Sequence, residues 1–367
     1  MEMILIEDCC EILDSKRIPI TAKNRTPGPY PYYGANGIQD YVDNYIFDDE
    51  LVLLAEDGGN FGSTEKPIAY RVSGKCWVNN HAHVLKPRNG IDVDYLCYSL
   101  MFYDTNGLVN GATRQKLTQS TLKKMSIPKR TVKQQLQIVQ ELNTIKKLIT
   151  ARQQELQKLD DLIKARFVEM FESQAWERVR AGTIMLNMRN GVSPSNIGTY
   201  PAKVLTLSAI TQGGFNPDSW KDGMFDVDPP LEKRVTASDF YMCRGNGNKK
   251  LVGVGVYSKE DRYDLIFPDT AIAATIDLHR ICLPYLFYAW QQPFVRKQIE
   301  AGARTTNGTY KINQGVVSNI ELALPPLKLQ KQFAAFVAAI DKSKATVQKA
   351  LDETQLLFDS LMQQYFG

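Results

Sequence analysis

The chain has 367 residues, of which 44% are hydrophobic and 23% are charged, a composition typical of a globular protein with room for two domains. It contains no run of about 18 apolar residues, and its acidic N-terminal stretch has too short an apolar part for a signal peptide, so we expect a cytoplasmic protein. The formal net charge of +4 permits nucleic-acid binding but does not argue for it, since many basic proteins bind none.

Residues 1–130 are predicted to form a first globular domain of short strands and turns. Strands are expected over residues 35–38, 50–55 and 76–85. Turn signals lie at Gly58-Gly59-Asn60 and at residues 87–90. The apolar segment 94–103 fits either a short helix or a buried strand, because periodicity does not separate the two at this length.

A long helix is predicted over residues 131–172. Thr131 is a suitable N-cap, and about 40 residues follow it without Gly or Pro. Apolar residues recur at alternating steps of three and four, a period typical of a coiled-coil seam that packs or docks a partner. The apolar seam residues are Leu142, Ile145, Ile149, Leu156, Leu159 and Ile163. Arg152 and Arg166 also fall on the seam, where polar residues can fix the register at a cost in stability.

The pattern of strands and turns resumes at Trp176 and predicts a second globular domain over residues 173–325. A second long helix follows Pro325-Pro326 and is predicted over residues 326–367. Its apolar seam residues are Val337, Ile340, Leu351, Phe358 and Leu361. We expect the two helices to pack against each other antiparallel, because a long domain separates them in the sequence.

The second half of the chain repeats the first at an offset of 195 residues. This offset separates Gln135 from Gln330, Leu156 from Leu351, and Phe171 from Phe366. It exceeds the 20–50 residues of solenoid repeats, so the duplicated unit is a domain together with its helix. The predicted fold is therefore mixed α+β, with two similar domains separated by two antiparallel coiled-coil helices and an internal pseudo-two-fold repeat.

Several short patterns suggest catalysis or metal binding but lack the residues that such chemistry needs. Asp228-Pro-Pro-Leu231 has no aromatic residue to stack on a base and is interpreted as a turn. Residues 252–256 lack the third glycine of a dinucleotide-binding loop and are interpreted as a tight strand. His81 and His83 are predicted to share one face of a strand as structural residues, and the six cysteines form no CxxC pair. We therefore assign no catalytic, cofactor-binding or metal-binding residue.

Polar and basic residues cluster in the predicted loops of both domains. Arg, Lys, Asn and Gln side chains clamp phosphates and read base edges in the major groove, so these residues are candidates for DNA binding. The candidates are Lys23, Arg25, Tyr32, Asn36, Asn60, Lys66, Arg71, Arg114 and Lys116 in the first domain, and Arg189, Asn190, Arg234, Arg244, Asn246, Asn248, Lys249, Lys250 and Arg304 in the second.

Five segments together resemble the specificity subunits of Type I restriction–modification systems. Residues 31–38, 53–62 and 78–84 look like the signature of the family's target-recognition domain, and residues 111–118 look like the segment that closes it. The run Ile320-Glu-Leu-Ala-Leu-Pro-Pro resembles the entry to the family's conserved helix. The likeness extends over essentially the whole chain.

The resemblance implies a non-catalytic, sequence-specific subunit that binds double-stranded DNA at a bipartite, asymmetric site. One recognition domain would read each half, and the helices would set the spacer and dock two methyltransferase and two restriction/translocase subunits. S-adenosylmethionine, ATP and Mg would be bound by those partners and none by this chain. The location implied is the cytoplasm of a bacterium or archaeon, in association with the nucleoid.

Two other functions remain open from the sequence. The chain could be a two-domain scaffold that binds only proteins, although the doubled set of basic loops argues against this. A stand-alone methyltransferase or nuclease would need catalytic motifs, and none is recognisable in the sequence.

Overall fold

The chain folds into two units that repeat one topology. This computed structural model describes residues 2–111, 114–172, 174–306 and 308–367. Unit 1 comprises Met1–Gln154 and Gln348–Gly367, and unit 2 comprises Glu155–Val347. Each unit therefore contains a globular part together with a segment of each of the two long helices. The expected mixed fold, with a duplicated domain and two long helices, is confirmed.

The elements that begin in the first half of the chain follow in sequence order. The strands are β1 (Met3–Leu5), β2 (Cys10–Ile12), β3 (Pro27–Gly34), β4 (Gly37–Val42), β5 (Phe47–Ala55), β6 (Ala69–Val78), β7 (Ala82–Pro87) and β8 (Ser126–Pro128). The helices are α1 (Ile6–Cys9), α2 (Val93–Met101), α3 (Gln119–Lys124) and α4 (Val132–Phe171), with 3-10 turns at Asp14–Lys16 and Ala22–Asn24.

The main sheet of unit 1 has the strand order β2-β7-β5-β6-β3-β4, and β1 pairs separately with β8. Strand β5 lies between β6 and β7, and the pairing of β3 with β6 is parallel. Both faces of β5 are covered, since Val52 and Leu54 lie in one hydrophobic cluster and Leu51 and Leu53 lie in another. This explains the continuous apolar run from Leu51 to Ala55, where every side chain is fully buried.

Local differences from the sequence predictions all fall where the chain turns. Only half of the strand predicted over residues 35–38 forms, since Ala35 and Asn36 make the turn between β3 and β4, whereas Gly37 and Ile38 begin β4. The strand predicted over residues 76–85 is broken between β6 and β7, so His81 lies in the turn and His83 in β7. The ambiguous segment 94–103 is the helix α2, capped by the Asp92 carboxylate, which accepts a hydrogen bond from the Tyr95 N–H at 2.9 Å.

The elements of the second half follow in sequence order. The strands are β9 (Arg178–Arg180), β10 (Met185–Asn190), β11 (Tyr200–Leu205), β12 (Trp220–Phe225), β13 (Arg234–Val235), β14 (Asp239–Cys243), β15 (Gly245–Asn246), β16 (Gly255–Tyr257), β17 (Arg262–Ile266), β18 (Ala271–Ile276), β19 (Arg304–Thr306), β20 (Thr309–Lys311) and β21 (Glu321–Ala323). The helices are α5 (Ser208–Thr211), α6 (Leu283–Trp290), α7 (Pro293–Gly302), α8 (Gln314–Ser318) and α9 (Leu327–Phe366), with 3-10 turns at Ala181–Thr183, Leu231–Lys233 and Lys249–Leu251.

Unit 2 divides the equivalent sheet into two layers, β10-β18-β14-β16 and β12-β11-β17-β13, beside a small sheet β15-β20-β19. The parallel pairing of β11 with β17 repeats that of β3 with β6, and β21 pairs with β9 as β8 pairs with β1. The tight strand predicted over residues 252–256 is mostly a turn, because Gly253 has a φ of +69° and β16 begins only at Gly255. The Asp228-Pro-Pro-Leu231 segment leads into a 3-10 turn, in agreement with its interpretation as a turn.

A buried glutamine joins each long helix to the globular part of its unit. Gln135 accepts a hydrogen bond from the Asp92 N–H at 2.8 Å and donates to the carbonyls of Gly90 and Arg130. Gln330 accepts from the Cys282 N–H at 2.9 Å and donates to the carbonyls of Arg280 and Pro325. Both side chains are fully buried. They fix the start of each helix against the segment that leads into α2 or α6.

Within each unit, the two helix segments run antiparallel. In unit 1, Tyr365 near the end of α9 donates to the Glu141 carboxylate at 2.5 Å, and its carbonyl accepts from Arg130, just before α4 begins. In unit 2, Asp160 pairs with Lys344, whereas the later α4 residue Phe171 packs on the earlier α9 residue Phe333. Among the helices of the described ranges, we find none that is both long and apolar enough to cross a membrane.

Candidate nucleic-acid interface

Four loops of unit 1 converge where the central strand β5 ends. Glu56 follows β5, its N–H donates to the His81 carbonyl at 2.8 Å, and its own carbonyl accepts from the Leu117 N–H at 2.7 Å. The Asn36 amide donates to the Gly58 carbonyl at 3.0 Å and ties in the β3–β4 turn. We call residues 34–37, 56–67, 79–81 and the described part of 110–117 the first loop cluster. Ala112 and Thr113, from the segment predicted to close the domain, lie outside the described residues.

Unit 2 builds the same arrangement where β14 ends. Arg244 follows β14, its N–H donates to the Thr270 carbonyl at 2.8 Å, and its carbonyl accepts from the Ile312 N–H at 2.9 Å. These two bonds repeat those of Glu56, so Arg244 takes the place of Glu56 and Lys311 takes the place of Lys116. We call residues 244–252, 268–270 and the described part of 304–312 the second loop cluster.

The two loop clusters contain most of the basic and amide candidates named from the sequence. Asn36, Asn60, Lys66, Arg114 and Lys116 belong to the first, and Asn60 is half-buried whereas the other four are exposed. The second contains Arg244, Asn246, Asn248, Lys249, Lys250 and Arg304, of which Arg244 and Asn246 are half-buried. Residues that lie far apart in the sequence are thus brought together in each unit, and side chains able to contact phosphates and base edges are exposed there.

The remaining candidates lie outside the two clusters. Lys23 is exposed in the 3-10 turn Ala22–Asn24, and Asn190 is half-buried at the end of β10, where its carbonyl accepts from Lys233. Tyr32 is only 1% exposed and donates to the Ile20 carbonyl, while Arg25 stacks over the Tyr32 ring.

Three other arginine candidates are held by carboxylates. Arg71 pairs with Glu50 and Asp94, Arg189 with the buried Asp239, and Arg234 with Asp228. The side chains of these three arginines are only 10–27% exposed, whereas Arg114, which also pairs with a carboxylate, is 58% exposed and stays a candidate. We therefore leave Arg25, Tyr32, Arg71, Arg189 and Arg234 out of the candidate interface.

Two residues that sequence reasoning missed belong to the clusters. Lys311 is exposed in the second cluster, and Asn80 is exposed in the β6–β7 turn of the first. The repeat could have identified Lys311, since it lies 195 positions after Lys116. Asn80 could have been found from its place beside Asn79, since two consecutive turn-favouring residues mark the break between β6 and β7.

A buried network of charged side chains lies against the first loop cluster. The Asp14 carboxylate lies 2.6 Å from Nδ1 of the fully buried His83 and accepts from the Val84 N–H at 2.9 Å. Burial alone would raise the pKa of Asp14, but His83, the Val84 N–H and Arg17 outweigh it and hold that pKa below its ordinary value.

The same network has the spacing of a metal site, because ligand atoms of Asp14, Glu56 and His83 lie within 4.8 Å of one another. Arg17 already supplies positive charge there. Its guanidinium donates to Glu56 at 2.6 Å and lies 3.5 Å from Asp14. The network joins Asp14 and His83 to the loop residue Glu56, and the structural role of His83 stays a prediction from the sequence.

The predicted seam residues all lie on the packed sides of the long helices. Leu142, Ile145 and Phe358 are buried in unit 1, and Ile163 and Val337 are buried in unit 2. The others are half-buried, namely Ile149, Leu156, Leu159, Ile340, Leu351 and Leu361. The five buried seam residues belong to the hydrophobic cores of the two units and are closed to a docked partner, and partner docking at the half-buried positions stays a prediction.

Comparison with known proteins points to one family. Residues 1–160 match the Type I restriction modification DNA specificity domain. A type I restriction enzyme specificity subunit of Haemophilus influenzae is 34% identical over 140 residues, which cover 38% of this chain and 36% of that protein. The EcoKI specificity subunit of Escherichia coli is 21% identical over 341 residues, which cover 86% of this chain and 72% of that protein.

Solved structures show the same fold. A crystal structure of a Type I restriction–modification S subunit from M. genitalium has a TM-score of 0.61 at 15% identity, covering 100% of this chain and 96% of that chain. A structure described for complex assembly and conformational transition of the type I R-M system has a TM-score of 0.56 at 14% identity, covering 100% of this chain and 97% of that chain. The match of residues 1–160 and the sequence relatives confirm the resemblance to specificity subunits that was drawn from the sequence, and the solved structures confirm the fold.

Proposed function

Because this chain is a relative of the Type I restriction–modification specificity subunits, we propose that it recognises double-stranded DNA by sequence and leaves catalysis to partner subunits. Each unit reads one half of a bipartite, asymmetric site through its loop cluster. The long helices set the number of unread base pairs between the halves. The protein acts in the cytoplasm, on the DNA of the nucleoid.

The observation that carries this proposal is the duplicated loop cluster. Both clusters are built on the same two backbone hydrogen bonds, and both expose amide and basic side chains at the end of a central strand. Amides and guanidinium groups contact base edges, and lysines contact phosphates. A duplicated reading surface whose loops differ in sequence fits a bipartite site with two different halves.

Two methyltransferase subunits and two restriction/translocase subunits are the proposed protein partners, and they carry S-adenosylmethionine, ATP and Mg. The long helices offer a duplicated contact for the methyltransferase. Leu162 in unit 2 is 46% exposed, and Leu357 in unit 1, which lies 195 positions later, is 51% exposed. An exposed leucine at the same place in both repeats fits one kind of partner that binds twice.

A duplex-binding measurement with the purified chain tests the DNA part of the proposal. We expect the full chain to retard mixed-sequence duplex DNA at low salt, and to bind tighter when the methyltransferase subunit is added. If neither the chain nor the complex binds any duplex, the chain is a scaffold that binds only proteins.

A further inference from the structure

The two loop clusters differ in charge at equivalent positions. Glu56 and Arg244 make the same two backbone hydrogen bonds, yet one carries a negative side chain and the other a positive one. Lys116 and Lys311 are likewise equivalent and both exposed. The lysine of unit 1 therefore pairs with a carboxylate at this place, whereas unit 2 has an arginine in place of that carboxylate.

In the first cluster, carboxylates neutralise two of the three basic side chains, Arg114 and Lys116, whereas the exposed Lys66 forms no ion pair among the described residues. The Lys116 ammonium lies 3.0 Å from Glu56, whose other oxygen is 2.6 Å from the Arg17 guanidinium. Arg114 pairs with Asp57 at 2.9 Å. A phosphate that approaches Lys116 or Arg114 must compete with a carboxylate that already holds the cation.

In the second cluster, the basic side chains have no such partners. Across the part of the chain that the structure describes, none of Arg244, Lys249, Lys250, Arg304 and Lys311 forms an ion pair with a carboxylate. Arg244 donates to the backbone carbonyl of Asp269 at 3.1 Å, and Lys249 lies over the Tyr310 ring. These contacts orient the cations but leave their charge available to an anion.

Counterion release makes this difference measurable. Each phosphate that a free cation neutralises on duplex DNA adds about −0.9 to the slope of log K against log salt. A lysine already paired with a carboxylate exchanges one ion pair for another, and it gains little net charge neutralisation by binding a phosphate.

We propose that the second loop cluster supplies most of the phosphate binding of this protein, with Lys311 as one of its contacts. The first cluster contributes one free cation, Lys66, and otherwise uncharged side chains such as Asn36 and Asn80. This inference rests on the proposed DNA-binding function and adds to it an unequal division of labour between the two units.

The repeat supplies a matched pair of variants for the test, Lys311→Gln and Lys116→Gln. The affinity of the full-length chain for a mixed-sequence duplex is measured at several salt concentrations for the wild type and both variants. We expect Lys311→Gln to make the slope shallower by about 0.9, the value of one lost phosphate contact. Lys116→Gln is expected to change the slope by less than half as much.

Lys342→Gln serves as a control, because it removes an exposed lysine from α9 and changes the net charge equally. An effect of Lys342→Gln as large as that of Lys311→Gln would assign the change to net charge and overturn the inference. Equal effects of Lys116→Gln and Lys311→Gln, or a larger effect of Lys116→Gln, would also overturn it while leaving DNA binding intact. Failure of the wild type to bind any duplex would instead refute the proposed function, and the inference with it.

Discussion

At the level of single residues, the globular parts depend on a few buried polar side chains whose hydrogen bonds are all made. Gln135 and Gln330 occupy equivalent places, and each accepts one backbone N–H and donates to two backbone carbonyls. Removing such a side chain leaves buried backbone groups without partners, and each unpaired group costs about 1–3 kcal/mol. These glutamines therefore matter more to stability than their surface neighbours.

We expect Gln330→Leu to lower the free energy of unfolding by about 3 kcal/mol, because the Cys282 N–H and the Arg280 and Pro325 carbonyls lose their partner. Urea unfolding of the full chain measures this change. The control Gln332→Leu, at an exposed position of the same helix, should alter stability by no more than about 0.5 kcal/mol. Equal effects of the two substitutions would contradict the role assigned to Gln330.

Asp14 gives the buried network of charged side chains against the first loop cluster a defined response to pH. Its folded pKa lies below the ordinary value of 3.8, so its charge stabilises the fold at higher pH. That contribution is lost as the pH falls below 3.8 towards the lower folded pKa. We expect Asp14→Asn to destabilise the protein at neutral pH, with a difference from the wild type that narrows as the pH falls below 3.8. Urea midpoints at a series of pH values measure it, and a difference that stays constant in acid would contradict the assignment.

At the level of elements, the long helices pack through the apolar seam, but one seam residue has a buried polar atom without a hydrogen-bond partner. Thr131 caps α4, since its hydroxyl accepts from the Gln134 N–H and the Gln134 side chain accepts from the Thr131 N–H. Farther along α4, the Nε of Arg152 is buried without a hydrogen-bond partner among the described residues. A buried N–H group without a partner lowers the stability of the helix pair. This cost is expected of a polar seam residue whose role is to fix the register of the two helices.

We expect Arg152→Met to raise the free energy of unfolding by about 1–3 kcal/mol, since methionine fills a similar volume and has no polar hydrogen to satisfy. Thermal or urea unfolding of the full chain measures the gain. Arg166→Met is the control, because Arg166 pairs with Glu169 at 2.7 Å and lies over the Phe336 ring, so no gain is expected there. A loss of stability in Arg152→Met would show that the guanidinium has a partner that holds it.

The sequence predicts elements well where one physical signal dominates. The spacing of Leu142, Ile163 and Phe358 predicts the helix seams, and the structure leaves every seam residue buried or half-buried. The apolar run 51–55 predicts β5, because a strand that is covered on both faces needs no alternating polar residues. The offset of 195 predicts that both halves fold alike.

Most of the remaining features depend on contacts that no local pattern encodes. Arg71 and Arg189 lie beside polar loop residues in the sequence, yet Glu50, Asp94 and Asp239 hold them only after the strands pair. The strand prediction over residues 76–85 passes over Asn79 and Asn80, two consecutive turn-favouring residues that mark the break between β6 and β7. The loop clusters join segments far apart in the chain, and their composition follows from the sheet topology.

At the level of the whole molecule, the duplication retains a common framework while the exposed loops differ. The glutamine anchors, the parallel strand pair and the backbone bonds of Glu56 and Arg244 are common to both units. The charged side chains of the two loop clusters, in contrast, differ between the units. This combination suits a protein that presents two different reading surfaces to DNA and two similar contacts to a repeated partner.

Substitutions of Leu162 and Leu357 test the proposed contact with the methyltransferase subunit, which the repeat presents twice. We expect Leu162→Asp and Leu357→Asp each to remove one of two bound methyltransferase subunits, because a buried charge would oppose docking at that copy of the site. The double variant should bind none. Light scattering of the purified complexes gives the stoichiometry, with Lys342→Gln as a surface control. Retention of two subunits by the double variant would show that the partner contacts another face.

The measurement that most directly tests the central proposal is a single-molecule methylation map of a host that expresses this chain together with a methyltransferase subunit of its system. A matched host that lacks only this chain is the control. We expect a new methylated DNA motif that consists of two different half-sites, separated by a fixed number of unread base pairs. If no new motif arises while the same methyltransferase methylates DNA with another specificity subunit, this chain does not direct methylation and the proposed function is wrong.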